Sequence, residues 1–171
     1  MREASLGQDG IAARRIVNGL SVDVEEYFQV GAFENTIAKA DWDSTASRVE
    51  FNTGLVLDLF ARCGVKATFF TLGCVALRHP ALIRRIIAEG HEIASHGWDH
   101  ARVFTMTPEQ FGDDIDRARK ALEDAGGVAI QGYRAPSFSI DQRTPWAHPI
   151  LAERGYAYSS SVAPIAHDHY G

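Results

Sequence analysis

The sequence predicts an α/β protein with parallel strands, on two observations: strand-like runs alternate with capped helices, and polar clusters fall at the C-terminal ends of separate runs. Arg15 to Glu25 is the first expected strand. A helix follows over about Ser47–Arg62, with Leu55, Val56, Leu59 and Phe60 as its inner face and Gly64 just beyond its end. Lys66–Leu72 is the second strand. Pro80 opens a helix whose apolar side is Leu82, Ile83, Ile86 and Ile87, and Gly90 closes it before a third strand at His91–Ser95. Thr107, Pro108 and Gln110 form a capping-box start for a helix in which Phe111, Ile115, Ala118 and Leu122 recur, ending at Gly126 and Gly127. Asp113, Asp114 and Asp116 read as its solvated first half, compatible with the helix dipole. Ala129–Arg134 is the fourth strand, Thr144 and Pro145 start a helix that stops at Gly155, and Tyr156–Val162 is the fifth strand. Residues 1–14 are a polar extension ahead of a single domain at 15–171.

With 171 residues, 46% of them hydrophobic and 23% charged, the chain can bury one sizeable core. A formal net charge of -5 without a basic cluster argues against nucleic acid and against an anionic membrane surface. Cys63 and Cys74 lack C-x-x-C spacing and read as buried free thiols, compatible with a reducing compartment. The first fifteen residues carry no signal-peptide core, and the longest weakly apolar stretch, Ala67 to Leu77, is too short to span a bilayer. A cytoplasmic location is expected.

His96 and His100, in A-S-H-G-W-D-H, can present two imidazoles to one ion, because residues at i and i+4 share one face of a helical turn. Asp23, Glu25 and Glu26 end the first expected strand, and Arg134 ends the fourth. In a parallel barrel such ends converge on one mouth, so residues distant in sequence can form one site. Asp23 and Glu25, two apart on a strand, point the same way, which lets one carboxylate bind a metal while the other handles a proton.

These segments resemble the polysaccharide deacetylases with a NodB homology domain, carbohydrate esterase family four. The resemblance is carried by S-V-D-V-E-E at 21–26, G-H-E-I-A-S-H-G-W-D-H at 90–100 and R-A-P-S-F at 134–138, supported by A-T-F-F at 67–70 and G-Y-A-Y-S-S-S-V at 155–162. It extends from Asn18 onward and is nearest the bacterial subgroup linked to exopolysaccharide loci and exosortase sorting. The resemblance implies a distorted (β/α)7 barrel and removal of N-acetyl groups from N-acetylhexosamine units of a polysaccharide or oligosaccharide. It implies Asp23 as general base and Arg134 as the residue that orients it. A carboxylate near Asp23 would join His96 and His100 in holding Zn2+ or another divalent transition metal. The backbone N–H of Ser137 would stabilise the oxyanion, and Phe138 beside it reads as a sugar-stacking or core residue.

The chain departs from that pattern in two ways. Val24 separates Asp23 from Glu25 where the family has adjacent aspartates, so strand facing assigns the third ligand to Glu25, with Glu26 as its rival. The family's late leucine-x-histidine motif, source of the general acid, has no match before Gly171, and His167 and His169 are the remaining candidates. Five expected strands fall short of a full α/β barrel of about 250 residues. The sequence therefore reads as a barrel lacking its last units and as a polypeptide inactive by itself. Ser159 stands where relatives often carry Asp. His91 reads as a packing residue, His79 and His148 as surface groups, Trp98 and Trp146 as sugar-stacking or core residues, and Asp99 as a carboxylate that orients a ligand histidine or faces solvent. Two competing readings remain: a hydrolase of the same fold acting on a small amide or cyclic imide, and a non-catalytic glycan-binding relative.

Overall fold

The computed structural model describes residues 18–163. The expected extension at 1–14, the opening of the first expected strand at 15–17, and His167 and His169 lie outside the described residues. Five strands form one parallel sheet in sequence order: β1 (Ser21–Val24), β2 (Thr68–Thr71), β3 (Glu92–Ser95), β4 (Gly132–Tyr133) and β5 (Tyr158–Ser159). Helices α1 (Val49–Cys63), α2 (Gly73–Arg78), α3 (Pro80–Ala88), α4 (Pro108–Gly126) and α5 (Ala147–Glu153) supply the crossovers. This is the α/β architecture expected, and it corresponds to part of a distorted (β/α)7 barrel. Its strands are shorter than the sequence runs suggested, because backbone pairing extends over only two to four residues of each.

Strand β2 is buried at Phe69, Phe70 and Thr71, as a strand covered on both faces must be. Helix α4 behaves as its sequence demanded. The Thr107 side chain accepts from Gln110 N, Gln110 returns a bond to the Thr107 N–H, and Gly127 closes the helix at φ 67° in the left-handed region. Phe111, Ile115, Ala118 and Leu122 are all buried.

Helix α1 sits differently from the expectation. Val49, Thr53, Gly54 and Leu57 face the core and Val56 and Phe60 pack against it, while Leu55, Leu59 and Phe51 are exposed, Phe51 at 71%. At Gly54 a Cβ would lie 3.1 Å from Arg85 Nη1, the end of an exposed side chain on α3. Helix α2 was not expected. It begins at Gly73, where a Cβ would come within 2.7 Å of both the Ala118 backbone and the Trp98 ring, and it joins the end of β2 to α4. No helix among the described residues is long and apolar enough to cross a membrane.

Candidate active site

The sheet register brings the strand ends together. Asp23 pairs with Phe70, Phe70 with Ala94, and Arg134 N donates to Ser95 O at 2.8 Å, so the segments after β1, β3 and β4 leave from one edge. Alternation along the first segment sorts its carboxylates. Val24 and Glu26 are buried toward α1, where Glu26 accepts from the Ser47 hydroxyl and from Arg48 N at 2.9 Å. Asp23 and Glu25 face the other way, toward Arg134 and the histidines. Glu26, the rival ligand, is therefore an anchor for the start of α1.

The two histidines meet without a helix between them, contrary to the helical-turn expectation. After β3 the chain turns through Gly97 at φ 78° and His100 at φ 67°, and the rings stand 5.4 Å apart edge to face. His96 N is held by Thr71 O at 3.0 Å. Its ring Nδ1 lies 2.8 Å from Arg134 O. A carbonyl only accepts, so Nδ1 carries the hydrogen and Nε2 presents a lone pair. That lone pair faces Glu25 Oε2 at 3.7 Å and Asp23 Oδ2 at 4.0 Å. His96 is 2% exposed, and burial pushes its pKa down, which keeps the ring neutral.

Burial pushes the Glu25 carboxyl up, but the His100 contact and electrostatic attraction toward the histidine side outweigh it and leave the group below the ordinary glutamate value. Glu25 Oε2 stands 2.9 Å from His100 Nε2, yet the approach lacks hydrogen-bond alignment, and the atom is buried without a partner among the described residues. The ligand atoms of Glu25, His96 and His100 all lie within 4.8 Å of one another. Two acceptors facing each other in a dry site repel unless a cation lies between them. One carboxylate and two imidazoles form a donor set suited to zinc or a similar divalent ion.

Arg134 occupies the opposite wall. Its Nη1 donates to Asp23 Oδ1 at 2.6 Å and its Nη2 donates to the hydroxyls of Ser21 at 3.0 Å and Ser160 at 2.9 Å. The guanidinium lies over the Phe70 ring at 3.9 Å. Asp23 is 30% exposed at its side chain, so its Oδ2 is open to solvent. Beyond Arg134, Ser137 and Phe138 both adopt left-handed backbone, φ 52° and 48°, and the Ser137 N–H donates to nothing among the described residues. The Phe138 ring centre lies 5.5 Å from the guanidinium.

Other sequence expectations sort as follows. His91 is a packing residue, buried against Phe69, with Nδ1 accepting from Ala67 N at 3.2 Å. Asp99 pairs with Lys39 at 2.5 Å, which gives it a salt-bridge partner in the loop after β1 in place of a histidine ring or open solvent. His148 is exposed as expected, but His79 is half-buried and meets Glu50 at 3.0 Å. Trp146 packs on Phe111, and Trp98 lies beneath the Arg117 guanidinium at 3.5 Å. Cys63 is exposed and Cys74 half-buried, so the expectation of two buried thiols fails: Cys63 sits on the last, outward-facing turn of α1.

Asp114 is not solvated. It accepts from Trp98 N at 3.0 Å, and burial raises its pKa to about 6. Ser21, Ser160, Glu26 and Asp114 are the supporting residues that the sequence reading missed. Asp114 alone carried a signal, since it lies three residues after Phe111 and four before Ala118, on the buried face of α4.

Parallel strands that end on a carboxylate–histidine cluster and an arginine-held aspartate bring a candidate metal-ligand set and a candidate base to one edge of the sheet. The polysaccharide deacetylase family model matches residues 42–158, more than half of the chain, and the chain belongs to that family. It is 34% identical over 88 residues to the peptidoglycan-N-acetylglucosamine deacetylase PgdA of Listeria monocytogenes, covering 52% of this chain and 19% of that one. It is 32% identical over 112 residues to the chitooligosaccharide deacetylase of a Bradyrhizobium strain, covering 66% and 49%. The chain thus spans less than half the length of these two relatives. A crystal structure from Mycobacterium smegmatis, described as a polysaccharide deacetylase, superposes with TM-score 0.68 at 30% identity over 84% of this chain and 50% of that one.

Proposed function

We propose that this chain carries the metal-dependent N-deacetylation site of a bacterial polysaccharide deacetylase acting on N-acetylglucosamine units. The observation that carries the proposal is the bare Nε2 of His96 facing Oε2 of Glu25, a buried oxygen that also stands 2.9 Å from His100 Nε2 without an aligned hydrogen bond, a grouping suited to a cation. Glu25, His96 and His100 would hold the ion, with zinc the first choice for this donor set. When bound, it supplies Lewis-acid polarisation of the amide carbonyl and lowers the pKa of water.

Asp23 is the base. Arg134 fixes its Oδ1, leaving Oδ2 on the histidine side to take the proton from the attacking water. The hydroxyls of Ser21 and Ser160 hold the guanidinium in turn, which sets the carboxylate's orientation. The uncommitted Ser137 N–H serves the carbonyl oxygen as it gains charge, and the left-handed backbone there turns that amide away from the ladder. Phe138 borders the same space and offers an aromatic face to a sugar ring.

Acetate release from chitooligosaccharides, measured with zinc, after chelation and after zinc is restored, tests this reading. Release that follows the ion and disappears in Asp23→Asn supports it. Release indifferent to chelation removes the metal role. Stoichiometric zinc uptake with no release from any N-acetylated glycan, amide or cyclic imide supports the non-catalytic alternative.

A further inference from the structure

The turn that carries both histidines is held from outside the site. Gly97 O accepts from Gly73 N at 2.9 Å and Trp98 O accepts from Cys74 N at 3.0 Å, so the first turn of α2 takes the two carbonyls. Gly97 N donates to Ser95 Oγ at 3.3 Å. The remaining amide, Trp98 N, goes to the Asp114 carboxylate. One turn further along α4, Arg117 lies over the Trp98 indole. Residues three apart on a helix share a face, so Asp114 and Arg117 grip one residue, the middle of the five-residue segment from His96 to His100. Gly97 fits under this grip because it lacks a side chain: a Cβ there would sit 3.0 Å from Asp114 Oδ2 and would have to tolerate φ 78°.

We propose that Asp114 and Arg117 are positioning residues that set the His96–His100 turn in its ligand-binding shape. His100 needs such support, since a non-glycine residue at positive φ is held there only when its neighbours impose it. A half-buried carboxylate is a costly way to satisfy one amide by helix packing alone. Neither residue touches the reacting atoms. They act through the angle between the two imidazoles. The inference rests on the metal reading of the site.

The test is zinc affinity of the whole chain by competition with a chromophoric chelator, alongside melting of the zinc-free protein. Asp114→Ala should weaken zinc binding by roughly tenfold or more, the scale on which outer contacts tune metal sites. Asp114→Asn, which keeps an acceptor for Trp98 N, should restore affinity to within about threefold of the parent. Arg117→Ala, a surface change that leaves the fold intact, should weaken zinc severalfold and decides the matter if Asp114→Ala does not fold. Leu122→Ala, buried on the same helix but distant from the turn, should lower the melting temperature without moving zinc affinity. Unchanged zinc affinity in Asp114→Ala and Arg117→Ala, or an equal loss in Leu122→Ala, would overturn the proposal. A parent chain that takes up no zinc would remove the metal reading and this inference together.

Discussion

The two walls of the site solve opposite problems. On the histidine wall, His96 is 2% exposed, and the buried Glu25 Oε2 meets His96 Nε2 at 3.7 Å and His100 Nε2 at 2.9 Å without an aligned hydrogen bond. On the arginine wall, Asp23 is 30% exposed and its charge is already answered by Arg134 at 2.6 Å, backed by two hydroxyls. On the proposed reading, one wall receives a cation and the other meets water. A carboxylate that already has a guanidinium makes a poor ligand but a well-oriented base, whereas one facing two imidazoles is the reverse. Asp23 and Glu25, two residues apart, therefore acquire different roles from their surroundings alone.

The contrast breaks most visibly at His96. Its replacement by Ala leaves one imidazole and one carboxylate, and the account expects loss of stoichiometric zinc binding, a drop of about a thousandfold or more in affinity. On the other wall, Asp23→Asn should keep zinc within a few-fold and lower turnover roughly a hundredfold or more, with Arg134→Ala giving a smaller loss. Paired measurement of zinc affinity and acetate release checks both, and zinc loss in Asp23→Asn would make that residue a ligand and erase the contrast.

A sharper form compares neighbours. Glu25→Gln should weaken zinc strongly, while Glu26→Gln should leave zinc in place and lower stability by about 1–2 kcal/mol, because its bonds go to Ser47 and Arg48 at the start of α1. A further expected effect is a pH dependence. Asp114 has a folded pKa of about 6 against 3.8 for the free group, so between those values the folded chain holds a proton that the unfolded chain lacks. Stability should therefore fall as pH rises through that window, by at most about 3 kcal/mol, and level off above it. Asp114→Asn should flatten that slope, which melting curves from pH 4 to 7 would show.

What the sequence made legible follows from which residues announce their surroundings. Helix α4 was readable because its cap, its apolar positions and its terminal glycine all specify one answer. The choice of Glu25 over Glu26 was readable because strand alternation is strict, even though the strand itself stops at Val24. Helix α1 misled because Leu55 and Leu59 form an apolar stripe beside the buried one, while the face that is buried includes Thr53 and Gly54, which carry no apolar signal. The support of Arg134 by Ser21 and Ser160 was illegible, since a hydroxyl has no pattern that distinguishes a partner from a turn residue. The histidine spacing suggested a shared ion for the wrong local reason. A loop with two positive φ angles, not a helix, makes the rings converge.

The central claim is that Glu25, His96 and His100 form a cation site which the rest of the chain completes. X-ray absorption at the zinc edge on the whole chain loaded with one equivalent of zinc tests it most directly. The account predicts a first shell of nitrogen and oxygen only, with the outer-shell scattering of two imidazoles, and loss of one imidazole's contribution in His100→Ala. A sulfur-containing shell from Cys63 or Cys74, or a spectrum unchanged by His100→Ala, would contradict it.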